Sequence, residues 1–176
     1  GPGSFAGLRI GAATAKGLGL ALGIPLIAVP TLDAQAYCLF GVKDLICPIM
    51  DAKRGQVYTG IYRFDEEDAL RVIRPSCAMD FGALAEELKA LGGPVYFLGD
   101  GVPVFREKAV EMLAGDARFA PAGQERQRAA NVASYDMGVR ILDERLVPCV
   151  NGKCLITLRR NFSACEFYIS HIKFFR

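Results

Sequence analysis

Small residues recur at every fourth position near the start of the chain, and they restrict how this segment can fold. The row consists of Gly7, Gly11, Ala15, Gly19 and Gly23. Residues 8–22 contain no proline and Pro25 follows soon after, which predicts a helix over 8–22 with Ser4 as its N-cap. Each glycine inside a helix costs about 0.5–1 kcal/mol relative to alanine, so the row indicates close backbone packing. Its neighbour is either another chain or the protein's own sheet.

We interpret this helix as a candidate interface with a partner protein. A membrane span requires about 20 apolar residues, and Arg9 and Lys16 interrupt the segment. We therefore expect a protein partner and no membrane. The predicted interface residues are Gly7, Leu8, Gly11, Ala12, Ala15, Lys16, Gly19 and Leu22.

The composition is typical of a globular protein. Hydrophobic residues make up 52% of the 176 residues, charged residues make up 23%, and the formal net charge is +2. Such a chain can bury the core of one large domain or two small ones. The near-neutral charge, with basic and acidic residues interspersed, predicts no dedicated surface for nucleic-acid phosphates.

The six cysteines are irregularly spaced, and we expect them to be reduced thiols. Cys149, Cys154, Cys165 and His171 could in principle supply four zinc ligands. Their spacing departs from the usual two-residue knuckle, so no metal site is predicted. Cys47, inside an apolar run, is expected to be a small core residue.

Hydrophobic periodicity predicts a mixed succession of helices and strands. A strand over 24–29 precedes a helix that begins at Thr31 and runs to Phe40. A buried strand over 45–50 is followed by a polar turn at 51–55 and a hairpin, with a third strand at 70–73. Helices are expected at 81–91, 103–113 and 131–146, and a strand at 95–98.

A glycine turn at Gly99, Asp100 and Gly101 lies between the predicted strand and helix. Free backbone N–H groups and the positive end of a helix suit a phosphate, so these three residues are a weak candidate for nucleotide binding. The alternative is an ordinary connection, because the turn lacks the length of a Walker or dinucleotide loop. Asp100 would also repel phosphate unless a metal intervened.

The sequence offers no catalytic constellation. Its single histidine is His171, so neither a two-histidine metal site nor a Ser-His-Asp arrangement can be drawn on the body of the chain. Asp51 and Arg54 could be an acid and a substrate clamp, but an ion pair or a turn cap is the preferred interpretation. No catalytic residue is predicted.

Two stretches together resemble the bacterial TsaB family, also called YeaZ. The first covers residues 1–18 and continues through 23–25 and 31–32; the second is 51–58 (DAKRGQVY). The resemblance extends over about residues 1–147. Ala6 stands where the family usually has Thr, the family's first strands are missing, and residues 148–176 differ from the usual ending. The resemblance therefore implies a chain truncated at its N-terminus with an atypical tail.

The family resemblance implies an α/β protein with actin-like, ribonuclease H-like halves, the first incomplete. We accordingly expect residues 1–40 to be the remainder of the N-terminal half, 45–147 the C-terminal half and 148–176 the tail. The resemblance implies a cytoplasmic, non-catalytic subunit that binds and stabilises a TsaD-like enzyme in making threonylcarbamoyladenosine next to the anticodon of tRNA. The family's catalytic relative carries a His-x-x-x-His motif, which this chain lacks.

Further partners and alternatives follow from the same resemblance. A TsaE-like ATPase and a second copy of the chain are additional candidate partners. The interspersed charges indicate that tRNA would be held only indirectly, by a partner. No cofactor is expected on the chain itself, although ATP or ADP could bind at the complex. The alternatives are a phosphotransferase of the sugar or acetate kinase type, which shares the fold, and a glycoprotease-like peptidase.

Overall fold

A computed structural model describes residues 3–23, 26 and 28–142 of the chain. Five α-helices lie in this part: α1 (Phe5–Leu22), α2 (Thr31–Ala36), α3 (Phe81–Leu91), α4 (Val102–Leu113) and α5 (Ala129–Leu142). Five strands form one sheet: β1 (Leu45–Asp51), β2 (Gln56–Phe64), β3 (Leu70–Asp80), β4 (Val95–Leu98) and β5 (Ala117–Phe119). A short 3-10 helix, Tyr37–Leu39, extends α2. Within the described ranges, no helix combines the length and apolar character that a membrane span requires.

The sheet has the strand order β3-β2-β1-β4-β5 and is antiparallel on one side and parallel on the other. β1 pairs antiparallel with β2, and β2 pairs antiparallel with β3. β4 lies parallel to β1, and β5 lies parallel to β4. The carboxyl ends of the parallel strands therefore meet at one edge of the sheet, where open α/β sheets place ligands.

Helices cover both faces of the sheet. On one face α3 and α4 bury a cluster that includes Phe81, Phe97 and Phe105. On the other face α2 and the short 3-10 helix bury Leu32 and Leu39 against residues of the sheet. The first five residues of β1 are buried, as its continuous apolar sequence predicts for a central strand.

β3 forms one edge of the sheet and is the longest strand, with 11 residues. It contains Pro75, which has no backbone N–H, and it carries the charged residues Arg71 and Arg74. Arg74 forms an ion pair with Glu87 of α3. The ion pair ties the strand to α3, and Pro75 leaves one position of this edge strand without a backbone donor.

Several predicted elements differ from the structure. The described residues of the predicted strand at 24–29, which are Leu26, Ala28 and Val29, belong to no strand, because none of the five strands pairs with them. The third strand continues beyond 73, through Pro75, to Asp80, because β2 pairs with it along this length. β5 was not predicted at all. The helix predicted at 131–146 starts two residues earlier, at Ala129, and is described as far as Leu142.

The domain boundaries at residues 40, 45 and 147 are still predictions, because no observation tests them. Residues of α2 share a core with the sheet, so the segment 31–39 packs on the part of the chain that follows it. Residues 148–176, with Cys149, Cys154, Cys165 and His171, lie outside the described residues. The proposed zinc ligands therefore have no structural description.

Candidate functional site

α1 has the predicted N-cap, Ser4, and the predicted last residue, Leu22, but it begins at Phe5, three residues before the predicted start. Ser4 Oγ accepts a hydrogen bond from the Gly7 N–H at 3.1 Å, which satisfies one of the unpaired donors at the helix start. Gly23 ends the helix in the left-handed conformation, with φ of 65°, and its N–H donates to the Gly19 carbonyl. Both ends are thus set by local sequence.

α1 is exposed over most of its surface. Gly19 is buried, and Ala12 and Lys16 are half-buried. By contrast Gly7, Gly11 and Ala15 are exposed, and a Cβ built on Gly11 would meet no atom within 4 Å. Most of the row of small residues therefore does not pack on the sheet within the described part of the chain.

An apolar stripe runs along the exposed side of α1. Its residues are Leu8, Gly11, Ala15, Leu18 and Leu22, at alternating intervals of three and four. Leu18 and Leu22 are 57% and 66% exposed. This is the spacing of a seam between two packed helices, with small residues in the middle and leucines towards the ends. We call these five residues the α1 seam; Leu18 was missed in the predicted interface, although the spacing would have found it.

The predicted interface residues of α1 differ in their exposure. Gly7, Leu8, Gly11, Ala15 and Leu22 are exposed. Ala12 and Lys16 are half-buried, and Gly19 is buried. The set therefore does not form a single exposed surface.

The turn between β1 and β2 is organised by Asp51. Its carboxylate accepts a hydrogen bond from the Lys53 N–H at 2.8 Å and pairs with the Lys53 Nζ at 2.6 Å. This contact with the Lys53 ammonium holds the pKa of Asp51 below its usual value. Lys53, Arg54 and Gly55 all have positive φ. Asp51 is thus a turn cap, as predicted, and its charged partner is Lys53 and not Arg54.

The glycine turn after β4 is closely packed on β1. The Gly99 N–H donates to the Glu125 carbonyl at 2.7 Å and the Gly101 N–H donates to the Ile49 carbonyl at 3.1 Å. A Cβ on Gly99 would lie 2.2 Å from the Ile49 carbonyl oxygen. These two amides already have acceptors in the protein, so the geometry favours a structural connection. Nucleotide binding at Gly99, Asp100 and Gly101 remains an untested prediction.

A polar cluster joins four elements on the α2 side of the sheet. The Asp33 carboxylate accepts hydrogen bonds from the Tyr62 hydroxyl at 2.8 Å and from the Tyr135 hydroxyl at 3.0 Å. The Tyr62 and Ser76 hydroxyl oxygens lie 3.1 Å apart. Burial raises the pKa of Asp33, and the hydrogen bonds from the tyrosines only partly oppose this effect. Sequence reasoning did not find this cluster, because its members are far apart along the chain.

The described residues offer little for metal chemistry. Within them, no group of three or more His, Cys, Asp or Glu side chains could hold a metal ion. Cys47 is a buried core residue, as expected, and its Sγ lies 3.3 Å from the Thr59 hydroxyl. Burial raises the pKa of this thiol to about 12, so it stays protonated at neutral pH.

Comparisons with known proteins agree on one family. The family model described as TsaD: tRNA N6-adenosine threonylcarbamoyltransferase matches residues 1–136. The tRNA threonylcarbamoyladenosine biosynthesis protein TsaB of Bacillus subtilis is 35% identical over 133 residues, covering 76% of this chain and 58% of the relative. The Escherichia coli protein of the same name is 34% identical over 110 residues, covering 57% of this chain and 45% of the relative. The chain thus spans between about two-fifths and three-fifths of these relatives' length.

Solved structures show the same fold. A Pseudomonas aeruginosa protein described as similar to peptidase YEAZ superposes with a TM-score of 0.59 at 22% identity, covering 85% of this chain and 69% of that chain. A second structure, YeaZ from Pseudomonas aeruginosa, gives a TM-score of 0.57 at 21% identity, covering 81% of this chain and 64% of that chain. The resemblance of residues 1–32 and 51–58 and the predicted α/β, actin-like fold are confirmed. The chain belongs to the family that the TsaD model describes and, within it, to the TsaB (YeaZ) type.

Proposed function

We propose that this chain is a non-catalytic partner subunit that binds and stabilises a TsaD-like enzyme in the synthesis of threonylcarbamoyladenosine in tRNA. The observation that supports this role best is the α1 seam. It exposes three leucines around Gly11 and Ala15 on a helix that the sequence caps at both ends. The names of the relatives supply the pathway.

The α1 seam has the properties of a helix-packing surface. Burying one exposed leucine completely contributes about 1.5–3 kcal/mol, so three leucines supply a substantial driving force for association. Gly11 and Ala15 allow the backbone of a second helix to approach closely between them. Their cost to the isolated helix is then offset in the complex.

The TsaD-like enzyme is the proposed partner, and a second copy of the chain is the competing occupant of the same seam. A TsaE-like ATPase would join the assembly at another surface, and ATP or ADP would bind at the complex. Because the substrate of this pathway is tRNA, the proposal places the chain in the cytoplasm. The peptidase named for the Pseudomonas relative is the rival activity.

The test replaces Gly11 and Ala15 together by glutamate and measures association by analytical ultracentrifugation, alone and with the TsaD-like enzyme of the same source. We expect the double variant to lose association, because two carboxylates would be buried at the interface. The matched control is Ala13→Glu with Gly17→Glu. It has the same residue types and spacing on another side of α1, where both positions are exposed.

Circular dichroism of both double variants verifies that α1 remains helical. Association of the Gly11/Ala15 variant at wild-type strength would refute the α1 seam as the interface. Threonylcarbamoylation of tRNA should fall with the same variant and not with the control. Cleavage of peptide substrates by the chain alone would support the peptidase instead.

A further inference from the structure

Most basic side chains of the described region already have a partner. Ion pairs join Lys43 to Asp68, Lys53 to Asp51, Arg71 to Asp65, Arg74 to Glu87 and Lys89 to Glu86. Aromatic rings lie against Arg9, Arg106, Lys108 and Arg118. A carboxylate offsets the charge of its partner, whereas a ring leaves the charge in place and only helps to fix the position of the side chain.

Four arginines are exposed and contact neither a carboxylate nor a ring in the part of the chain whose side chains are described. They are Arg54, Arg63, Arg126 and Arg128. Arg128 lies near the Cys38 thiol, where its charge slightly opposes the rise that burial causes in the thiol's pKa. A neutral thiol is not a counter-charge, so none of the four arginines has an ion-pair partner among the described side chains.

Three of these arginines lie at one edge of the sheet. Arg54 is in the turn that follows β1, and Arg126 and Arg128 are in the segment between β5 and α5. The Gly99 amide, just after β4, holds that segment through the Glu125 carbonyl, and the Gly101 amide holds the end of β1 through Ile49. The segment of Arg126 and Arg128 is thus held directly at the glycine turn, and the turn of Arg54 continues from the end of β1 that packs on it. We call Arg54, Arg126 and Arg128 the arginine edge.

Arg63 lies at the opposite end of the sheet. β2 runs antiparallel to β1, and Arg63 comes near the end of β2, one residue after the position paired with Ile46. Its own partner in the ladder is Arg71 of β3. It has the same exposure and charge as the arginine edge but a different location, which makes it a natural control.

The chemistry of the arginine edge favours phosphates of a polyanion. A guanidinium presents a rigid fork of donors that binds phosphate oxygens in pairs. Three arginines on two separate segments suit several phosphates in series better than a single small anion. Two exposed carboxylates, Asp100 and Glu125, lie at the same edge, while Asp51 is occupied by Lys53. They would hold a phosphate away from the strand ends and towards the arginines.

We propose that the arginine edge binds the phosphate backbone of tRNA, so that this subunit contacts the RNA directly as well as the enzyme. The inference rests on the proposed function, because the relatives' names supply RNA as the substrate. This proposal replaces the expectation that tRNA is held only by a partner protein. That expectation was based on the interspersed acidic and basic residues. The sequence shows how many charges there are, and only the fold shows which are already paired.

The test measures tRNA affinity of the complex with the TsaD-like enzyme over a series of salt concentrations. The variant replaces Arg54, Arg126 and Arg128 together by glutamine. We expect weaker binding and a log–log salt dependence that is shallower by about 0.7–0.9 for each phosphate that is no longer bound. Arg63→Gln should leave both quantities unchanged. Glu125→Gln removes a repelling charge and should tighten binding.

Each outcome separates the inference from the function on which it rests. If the triple variant forms the complex and binds tRNA with the wild-type affinity and salt dependence, the arginine edge is overturned. The partner role is then unaffected. Loss of enzyme binding in the triple variant would assign the edge to an acidic protein surface and overturn it. Competition of ATP with tRNA at the edge would assign it to a mononucleotide. If no complex forms, tRNA binding is measured on the chain alone with the same variants, and equal affinities would overturn the inference.

Discussion

Gly99 lies so close to the backbone of β1 that its position requires a glycine. Its φ is +110°, and a Cβ there would lie 2.2 Å from the Ile49 carbonyl oxygen and 2.9 Å from Gln35 Nε2. Backbone cannot move as easily as the end of a side chain. The glycine is therefore required by both conformation and space.

We expect Gly99→Ala to destabilise the protein by more than about 2 kcal/mol, as measured by urea unfolding. The matched control is Gly115→Ala, where φ is +101° but no atom lies within 4 Å of the added Cβ. Both variants include the conformational strain, and only Gly99→Ala adds the collision with β1. Equal losses of stability would show that the close approach to Ile49 contributes nothing.

Residue roles were predictable from the sequence where they depend on near neighbours. The cap at Ser4 and the turn cap at Asp51 are contacts within three residues, and both were predicted. The hydrogen bond between Tyr135 and Asp33 joins residues 102 positions apart, and no local pattern indicates it. The arginine edge was missed for the same reason.

At the scale of elements, α1 is the helix whose behaviour should depend most on a partner. It is mostly exposed, with Gly19 its buried residue, whereas α3 buries Phe81, Leu84, Ala85 and Leu88. In proteins, most helical stability comes from packing of an apolar face and not from propensity. An isolated α1, which also contains several glycines, should open more readily than α3.

Hydrogen exchange followed by mass spectrometry tests this difference. In the isolated chain, amides of α1 should exchange faster than those of α3. Addition of the TsaD-like enzyme should slow exchange in α1 and leave α3 unchanged, so α3 is the internal control. Equal protection of the two helices before the enzyme is added would contradict the exposed position of α1.

Element prediction succeeded where hydrophobic periodicity is long. The 11 residues of α3 and the buried run of β1 carry a clear pattern, and both were predicted. β5 has only three residues with an exposed Arg118 at its centre, and it becomes a strand because β4 pairs with it. Pairing with β2 likewise extends β3 beyond Pro75. Partners distant in sequence decide such elements.

At the scale of the whole molecule, Asp33 connects α2 with β2 and α5. Because burial raises its pKa, the folded protein favours the protonated carboxyl more than the unfolded chain does. The contribution of this group to stability is therefore complete below its unfolded pKa and is lost as the pH rises through its folded pKa.

Asp33→Asn should remove this loss while keeping an amide oxygen as an acceptor for one tyrosine. We expect the free energy of unfolding of the variant, relative to wild type, to rise between about pH 4 and neutrality. Urea unfolding at several pH values measures it. Asp116→Asn removes a charge at an exposed position and serves as the control. A difference between Asp33→Asn and wild type that does not change with pH would contradict the raised pKa.

The edge strand β3 affects whether copies of the protein can aggregate through their sheets. The chain exposes leucines on α1, and two copies that met at a sheet edge could pair strand to strand and start a growing aggregate. Pro75 interrupts this edge strand, because it supplies no amide for such pairing. β3 is therefore a poor template for open-ended polymerisation, although it forms a long edge of the sheet.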